Sequence, residues 1–378
     1  MEKLLQKNII QFLQAHIKLL GFRPVIHFEL EGCYASNNKD NVATLNFEAV
    51  NSLLFSHHID GELVPEYWTN QWEYVSKFNG QSPLKEAENL AFILKNLPAI
   101  FLKQGISKTL IKPVVWSGDR AKLGDRCQNV FSGEQRAVHI PNAIQINVSI
   151  LNNQNENMVA ETAFGDYLQQ AFLSSSLSCC LLYLPEEEAF ERLALKTQYG
   201  LADELCSPVD ISGGHQGSIA LYKKLGKHNQ AMGRKTLLVD RHNDDLLFES
   251  RWKETARIEH RLGASSLAYC PYVNVIFALL NIIEALENFT QAKPLIHQPS
   301  SISLPNSLAS TSDALGAIEL FKRSNWFENN INKIQSNYIS SEFHPLQFKQ
   351  YEELPLMAGN KLKKIILAQY QQYQDIIY

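Results

Sequence analysis

Charged side chains alternate with other residues from Arg257 to Arg261, where Ile258 and His260 separate Arg257, Glu259 and Arg261. Successive side chains of a β-strand point to opposite faces, so a strand here would place the three charges on one face. A carboxylate between two guanidiniums suits metal–nucleotide chemistry, because the carboxylate can hold a divalent cation while the guanidiniums bind phosphate or carboxylate oxygens. The alternative is a ladder of ion pairs on a solvated strand.

A second acidic pattern occurs near the amino terminus, in the stretch FRPVIHFELEGCY at residues 22–34. Glu29 and Glu31 alternate with Phe28 and Leu30, so a strand would place both carboxylates on one face and the apolar side chains on the other. Two carboxylates about 7 Å apart repel each other unless solvent or a cation relieves the repulsion. A solvated strand is therefore the alternative to a metal site.

Two more carboxylates, Glu66 and Glu73, lie seven residues apart in the stretch EYWTNQWEY. A strand over its second half would place Gln71 and Glu73 on the same face. Each acidic pattern is weak evidence when taken alone.

Composition excludes several classes of protein. The chain has 378 residues, 45% of them hydrophobic and 20% charged, which is enough for one large core or two domains. Its formal net charge is −4 and it has no basic arm, so we expect no nucleic-acid partner. The six cysteines show neither metal-ligand spacing nor the framework of a secreted disulfide protein, and we expect reduced thiols in a cytoplasmic protein.

Two apolar stretches resemble targeting or membrane segments. The first is the start of the chain, residues 1–22, where polar residues interrupt the apolar ones every two or three positions. This pattern predicts an amphipathic helix that ends at Gly21. The longest apolar run, Val273 to Leu286, contains Asn274, Asn281 and Glu284, and we expect it to be too short to span a bilayer. The sequence therefore predicts no membrane partner.

Taken together and in this order, the three acidic stretches resemble the catalytic domain of glutamine synthetases. That family has a Glu-x-Glu strand, then a Glu followed by Gln-x-Glu, and then an Arg-Ile-Glu-x-Arg strand before an Asn-Pro-Tyr turn, where this chain has Cys270 in place of the Asn. The resemblance covers residues 22–378 and follows an N-terminal helix at residues 1–21. It implies an α+β fold with a curved, mainly antiparallel sheet flanked by helices.

The resemblance also implies a site that binds two or three Mg²⁺ or Mn²⁺ ions. The five carboxylates that would bind metal are those of Glu29, Glu31, Glu66, Glu73 and Glu259. In the stretch AIQINVS, Gln145 and Asn147 replace a metal-binding His and a His that contacts the transferred acyl group. Their amide oxygens can still approach a cation or a substrate, but they cannot carry a proton. Ser149 matches the family and would face the nucleotide base, whereas His139 would replace a lost His only if the alignment shifted.

Cationic positions depart from the family further along the chain. The segment from Ser218 to Gly226 resembles the entry to the family's mobile flap, with Lys224 in place of an Arg that binds substrate carboxylate or phosphate. The flap glutamate corresponds to Gln230. Arg234 matches the first of two phosphate-binding arginines, and Arg241 would serve as the second after a two-residue insertion.

The resemblance implies an ATP-dependent ligase that joins a small-molecule carboxylic acid to an amine through an acyl phosphate. Arg257, Arg234 and Lys224 would stabilise charge on the γ-phosphoryl group, and Arg261 would orient the acid. Gln230 cannot deprotonate ammonium, so we expect an amine or amino acid other than free ammonia as the substrate. A missing N-terminal β-grasp domain predicts a homo-oligomer smaller than the family's double ring.

Two other functions fit the same residues. A catalytically inactive homologue that binds nucleotide and regulates a partner would explain the replaced histidines and flap glutamate. However, five clustered acids without a cation would destabilise a fold, which favours the enzyme. Phosphate transfer to a stable acceptor is the third possibility.

Overall fold

The computed structural model describes the chain in nine segments, namely residues 2–35, 44–68, 70–117, 138–194, 218–226, 231–242, 245–295, 303–340 and 354–373. The strands are β1 (Arg23–Ala35), β2 (Gly61–Pro65), β3 (Gln71–Ser76), β4 (Lys108–Leu110), β5 (Val114–Ser117), β6 (Val138–Pro141), β7 (Ile144–Leu151), β8 (Ile219–Tyr222), β9 (Arg234–Val239), β10 (Asp245–Ser250) and β11 (Arg257–His260). The helices are α1 (Glu2–Leu19), α2 (Phe47–Ser56), α3 (Pro83–Leu102), α4 (Met158–Glu161), α5 (Phe164–Ser176), α6 (Cys180–Tyr183), α7 (Glu187–Ala194), α8 (Trp252–Thr255), α9 (Pro271–Thr290), α10 (Ala317–Arg323), α11 (Trp326–Ser340) and α12 (Ala358–Ala368), followed by a 3₁₀ turn (Gln371–Tyr373).

A central sheet organises the fold. Within the described residues it has seven strands in the order β2, β3, β1, β7, β11, β8, and β4 pairs with the end of β1. All of its pairings are antiparallel. This arrangement confirms the expected α+β class with a mainly antiparallel sheet.

The two faces of the sheet differ in chemistry because the strand sequences alternate. One face carries Ile26, Phe28 and Leu30 of β1, all fully buried, and helices α1, α3 and α9 contact this strand. On β11, Ile258 is fully buried and His260 packs against aromatic rings of α5 and α9. The opposite face carries the charged residues of the same two strands. The alternation predicted from the sequence is therefore confirmed for β1 and β11.

Helix α9 is the core of the helical layer. It packs against α5, α1 and α3, and most of its residues are buried. The apolar run predicted at 273–286 is part of this 20-residue helix, which by length and composition could cross a membrane. The expectation that it is too short was therefore wrong. In the structure, 72% of its apolar window is buried inside the protein, so core packing accounts for its composition.

The first helix shares that core. α1 contacts α9, α12 and α3 and buries Ile9, Ile10 and Leu13 completely. The chain then turns through Gly21, whose φ of +87° favours glycine, and enters β1 at Arg23. This short connection aligns the start of β1 with the core.

A separate hairpin follows the β8 segment. Strands β9 and β10 pair with each other, and neither joins the central sheet in the part of the chain that the structure describes. All six residues of β9 are exposed, and so is Phe248 on β10. This hairpin carries Arg234, one of the predicted phosphate-binding residues.

Candidate functional site

The charged face of the central sheet brings residues from distant parts of the sequence together. In the strand registers, Glu29 of β1 lies opposite Gln145 of β7, and Asn147 of β7 lies opposite Glu259 of β11. Directly opposed residues of antiparallel strands project to the same face with Cβ atoms about 5 Å apart. The predicted metal and substrate residues of these three strands are therefore neighbours.

Hydrogen bonds connect the inner part of this face. Asn147 Nδ2 donates to Glu29 Oε1 at 2.8 Å, and Asn147 Oδ1 accepts from Arg257 Nε at 2.6 Å. Arg257 Nη2 donates to Glu259 Oε2 at 2.9 Å and lies 3.8 Å from Glu29 Oε1. The guanidinium of Arg257 thus lies between two carboxylates that the sequence predicts as metal ligands.

A second guanidinium supports the same carboxylate. Arg261 Nε lies 3.8 Å from Glu259 Oε1, and both side chains are almost completely buried. Arg261 Nη1 donates to the hydroxyl of Tyr222 at 2.9 Å. The ring of Tyr222 also faces the guanidinium of Arg257, with 5.5 Å between the guanidinium carbon and the ring centroid. Tyr222 therefore contacts both arginines of the β11 motif.

Burial changes the pKa values of two side chains on this face, those of Glu29 and His27. Burial raises the pKa of Glu29, the charge of Glu259 raises it further, and Arg257 and the hydrogen bond from Asn147 oppose the rise. His27, which lies opposite Asn147 in the register, has its pKa lowered to about 4 by burial and by the charge of Arg257. At neutral pH this imidazole is uncharged, so His27 adds no positive charge beside Arg257.

The outer part of the face carries the remaining predicted carboxylates. Glu31 of β1 lies directly opposite Glu73 of β3, and Glu31 Oε2 accepts a hydrogen bond from the backbone amide of Ala143 at 2.7 Å. Glu66 follows β2, where its backbone amide donates to the carbonyl of Gln71. This backbone bond places Glu66 beside the start of β3, the strand that carries Glu73.

Amide side chains line the rest of this face. The Oε1 atom of Gln145 is buried and has no hydrogen-bond partner among the described residues. A buried acceptor without a donor is costly, and a ligand or cation would relieve that cost. Gln71 Nε2 donates to Asn142 Oδ1 at 3.0 Å, whereas Ser149 is buried farther along β7, opposite Val25.

These donors fit a hard divalent cation in kind, because carboxylate and amide oxygens are what Mg²⁺ and Mn²⁺ prefer. The orphaned oxygen of Gln145 agrees with that chemistry. The side chains do not form a ready-made cage, since within the described ranges no three His, Cys, Asp or Glu side chains come together as metal ligands. The carboxylates of Glu29 and Glu259 are oriented toward Arg257 instead.

The predicted phosphate-binding residues are less concentrated. Lys224 is exposed just after β8, with its ammonium 5.8 Å from the ring of Trp252. Arg234 stacks on Phe248 within the exposed hairpin, at 4.1 Å from the ring centroid. Arg241 is exposed at the turn of the same hairpin. The structure therefore groups Arg257 and Arg261 with the carboxylates, and it places Arg234 and Arg241 on a separate element.

Two predicted residues lie wholly or partly outside the described part of the chain. Gln230, which the alignment places at the flap glutamate, belongs to a segment that the structure does not describe. The side chain of His139 is also outside the described part, although its backbone pairs with Trp116 between β5 and β6.

Two polar residues of this face had no role in the sequence analysis. Tyr222 binds Arg261, and Asn142 accepts from Gln71 and donates to the carbonyl of Lys112 at 3.0 Å. The pairing of Arg257 with Tyr222 across β11 and β8 would have revealed the first of them. That register joins residues 35 positions apart and cannot be read from local patterns.

Comparison with known proteins supports the fold and leaves the activity open. No protein-family model matches the chain. No curated protein sequence matches it either. Among solved structures, a complex of GmaS with ADP matches with a TM-score of 0.55 at 12% identity, covering 99% of this chain and 75% of GmaS.

Two further structures match over most of the chain. A crystal structure of a novel glutamine synthase homolog has a TM-score of 0.51 at 13% identity, covering 93% of this chain and 75% of the homolog. The glutamine synthetase of Plasmodium falciparum has a TM-score of 0.51 at 12% identity, covering 99% and 79% of the two chains. Similarity at such low identity is informative about architecture alone. The chain has a divergent glutamine synthetase fold.

Proposed function

We propose that this protein is an ATP-dependent ligase that forms an amide from a carboxylic acid and an amine through an acyl phosphate. The observation that carries the proposal is the charged face of the sheet, where Glu29, Asn147, Arg257 and Glu259 lie together on adjacent strands of a glutamine synthetase fold. The ADP complex of GmaS supports nucleotide binding by a protein of this fold.

The carboxylates and Gln145 would hold two or three Mg²⁺ or Mn²⁺ ions. When bound, such ions neutralise the phosphates of ATP and make the γ-phosphoryl group easier to attack. Glu31 and Glu73 provide opposed carboxylates for this purpose, and Glu66 is proposed to join them from the end of β2. Ser149, on the same strand as Asn147, is proposed to face the base of the nucleotide.

We propose that one cationic side chain of the site binds the acid substrate and that the others bind the phosphates of ATP. Arg261 is buried beside Glu259 and is well placed to orient the carboxylate of the acid, because a guanidinium binds carboxylates bidentately. Arg257 would contact phosphate. Lys224 and Arg234 would reach the γ-phosphoryl group from the exposed side, with Arg241 as a second phosphate ligand.

The amine is proposed to be larger than ammonia. Asn147 and Gln145 are neutral amides, and Gln230 in the proposed flap has no carboxylate, so none of the three can accept a proton from ammonium. An amine that loses its proton more easily, or an amino acid held by its own carboxylate, relies less on such a base. We further propose a cytoplasmic homo-oligomer as the working form.

An inactive homologue is the second candidate, and one observation favours it. Arg257 pairs with both Glu29 and Glu259, and Arg261 pairs with Glu259, so each inner carboxylate has a cationic partner without a bound ion. Such a protein would bind nucleotide or a partner without turnover. The two candidates differ in one measurable property, which is consumption of ATP that depends on both an acid and an amine.

Phosphate release from ATP tests the proposal. The full chain is assayed with Mg²⁺ and with Mn²⁺ against a panel of dicarboxylates, amino acids and amines, each alone and in pairs. We expect release with an acid and amine together, and its loss in Glu259→Ala. Glu319→Ala, which removes a surface carboxylate of α10 paired with Arg323, is the matched control and should retain activity. Equal rates in the two variants would contradict the assignment.

A further inference from the structure

Four buried charges on the inner face of the sheet balance each other. Glu29 and Glu259 contribute two carboxylates, and Arg257 and Arg261 contribute two guanidiniums. The side chain of Glu259 is 5% exposed and that of Arg257 is 16% exposed, so water screens these charges poorly. Buried charges are costly unless they are paired. Among the described residues, each of these two carboxylates therefore has a guanidinium partner without a metal ion.

The position of Arg257 within this cluster is specific. Its Nη2 atom is 2.9 Å from Glu259 Oε2 and 3.8 Å from Glu29 Oε1, so one end of the guanidinium faces both carboxylates. Its Nε atom donates to Asn147 Oδ1 at 2.6 Å, and the amide of Asn147 in turn donates to Glu29 at 2.8 Å. Asn147 therefore binds the guanidinium and one carboxylate at the same time. A cation that bridged Glu29 and Glu259 would have to compete with this guanidinium.

We propose that Arg257 is the built-in cation of the inner pair Glu29 and Glu259, in place of a divalent ion, and that Asn147 is the positioning residue that holds it there. A histidine at position 147 could not reproduce this bridge in one neutral form, since its Nδ1 and Nε2 diverge from the ring, whereas the Asn amide offers a donor and an acceptor side by side. Of the five carboxylates that the proposed function assigns to metal, this leaves the outer three, Glu31, Glu66 and Glu73, to bind divalent ions in the unaltered protein.

Gln145 could provide a third metal ligand beside Glu29 and Glu259 if residue 257 carried no charge. Gln145 lies opposite Glu29, and its buried Oε1 atom has no hydrogen-bond partner among the described residues. With Arg257 neutral, Glu29, Glu259 and Gln145 would offer three oxygen ligands to a divalent ion, and waters could complete the shell. Removal of a positive charge is therefore expected to create a metal site.

Counting bound Mn²⁺ tests this inference without any turnover. The full chain, free of nucleotide, is titrated with Mn²⁺ while electron paramagnetic resonance measures the free ion. We expect Arg257→Gln to bind one more Mn²⁺ per chain than the unaltered protein, with an affinity at that position on the order of tenfold higher or more. The melting temperature of Arg257→Gln should also rise on addition of Mn²⁺ by more than that of the unaltered protein.

Three variants separate a specific role from general disturbance. Arg257→Lys keeps the charge and should bind the unaltered number of ions. Arg323→Gln removes an exposed guanidinium that pairs with Glu319 and should also leave the number unchanged. Asn147→Leu removes the bridge but leaves Arg257 charged. This variant should therefore bind a detectable extra ion, with a lower affinity than Arg257→Gln.

Opposite results would overturn the inference. An equal number of Mn²⁺ ions in Arg257→Gln and the unaltered protein would show that Arg257 does not exclude a metal. A count in Asn147→Leu identical to that of the unaltered protein would remove the positioning role of Asn147. If Arg257→Gln does not fold, Asn147→Leu carries the test of the built-in cation by itself. The inference rests on the proposed function for the outer ions alone: no Mn²⁺ on the unaltered protein would contradict that function, while the difference between variants would still stand.

Discussion

The buried carboxyl group of Glu86 should contribute to the pH dependence of this protein's stability. Glu86 in α3 has no exposed surface, and burial raises its pKa from the usual value of 4.5 to about 7. Hydrogen bonds from Ser76, at 2.6 Å, and from Gln81 and Asn89 oppose that rise. The nearby charge of Asp60 adds to it. Burial is the largest of these effects, so the folded protein holds a proton that the unfolded chain releases.

The sign and size of the effect follow from this difference. Between pH 4.5 and 7 the folded state binds more protons than the unfolded state, so the free energy of unfolding falls as pH rises. One pKa unit corresponds to about 1.4 kcal/mol. The ionisation of Glu86 should therefore make the free energy of unfolding about 2–3 kcal/mol lower at pH 8 than at pH 5. Glu86→Gln removes the ionisation and retains a polar side chain, so the variant should lose this part of the pH dependence.

Urea unfolding at pH 5 and pH 8 measures the effect. Relative to Glu86→Gln, the unaltered protein should lose about 2–3 kcal/mol of unfolding free energy between the two pH values. Glu88→Gln, two residues away on the same helix and partly exposed in a pair with Lys7, is the matched control and should change little. Parallel profiles for Glu86→Gln and the unaltered protein would refute the reasoning.

Further predictions concern packing around the same sheet. Tyr222→Phe leaves the buried guanidinium of Arg261 without one acceptor and should lower the unfolding free energy by about 1–3 kcal/mol in urea unfolding; no loss would show that another group replaces the hydroxyl. Gly32→Ala introduces a Cβ that overlaps the ring of Trp72, and a destabilisation of about 1–3 kcal/mol is expected, whereas an unchanged melting temperature would mean that the ring can shift freely. Phe277→Ala in the core of α9 should cost about 3–5 kcal/mol, and a much smaller loss would contradict the central position of this helix.

Local patterns explain why much of this fold could be predicted. Strict alternation in β1 separates Glu29 and Glu31 from Phe28 and Leu30, and the register confirms that the carboxylates share a face with residues of β3 and β7. The amphipathic first helix could also be predicted, because polar residues interrupt its apolar positions and Gly21 follows its end.

Interactions between distant strands could not be predicted from the same patterns. The contact between Arg257 and Glu29 needs the strand order β1, β7, β11, which brings together residues 228 positions apart. Alternation indicates that a side chain is on the charged face, but it does not say which partner it meets. The partners of polar residues inside the apolar run were hidden for the same reason: Asn281 of α9 accepts a hydrogen bond from Ser175 of α5, 106 positions away.

The fate of the oxygen atoms of the acid substrate tests the central claim most directly. With ¹⁸O in the carboxylate of an acid that supports activity, an acyl-phosphate pathway transfers one ¹⁸O atom to the released phosphate, because the carboxylate oxygen attacks the γ-phosphorus and leaves with it. We predict labelled phosphate together with the amide product, and loss of both in Glu259→Ala. Unlabelled phosphate, or phosphate release without an amide, would contradict the proposed ligase.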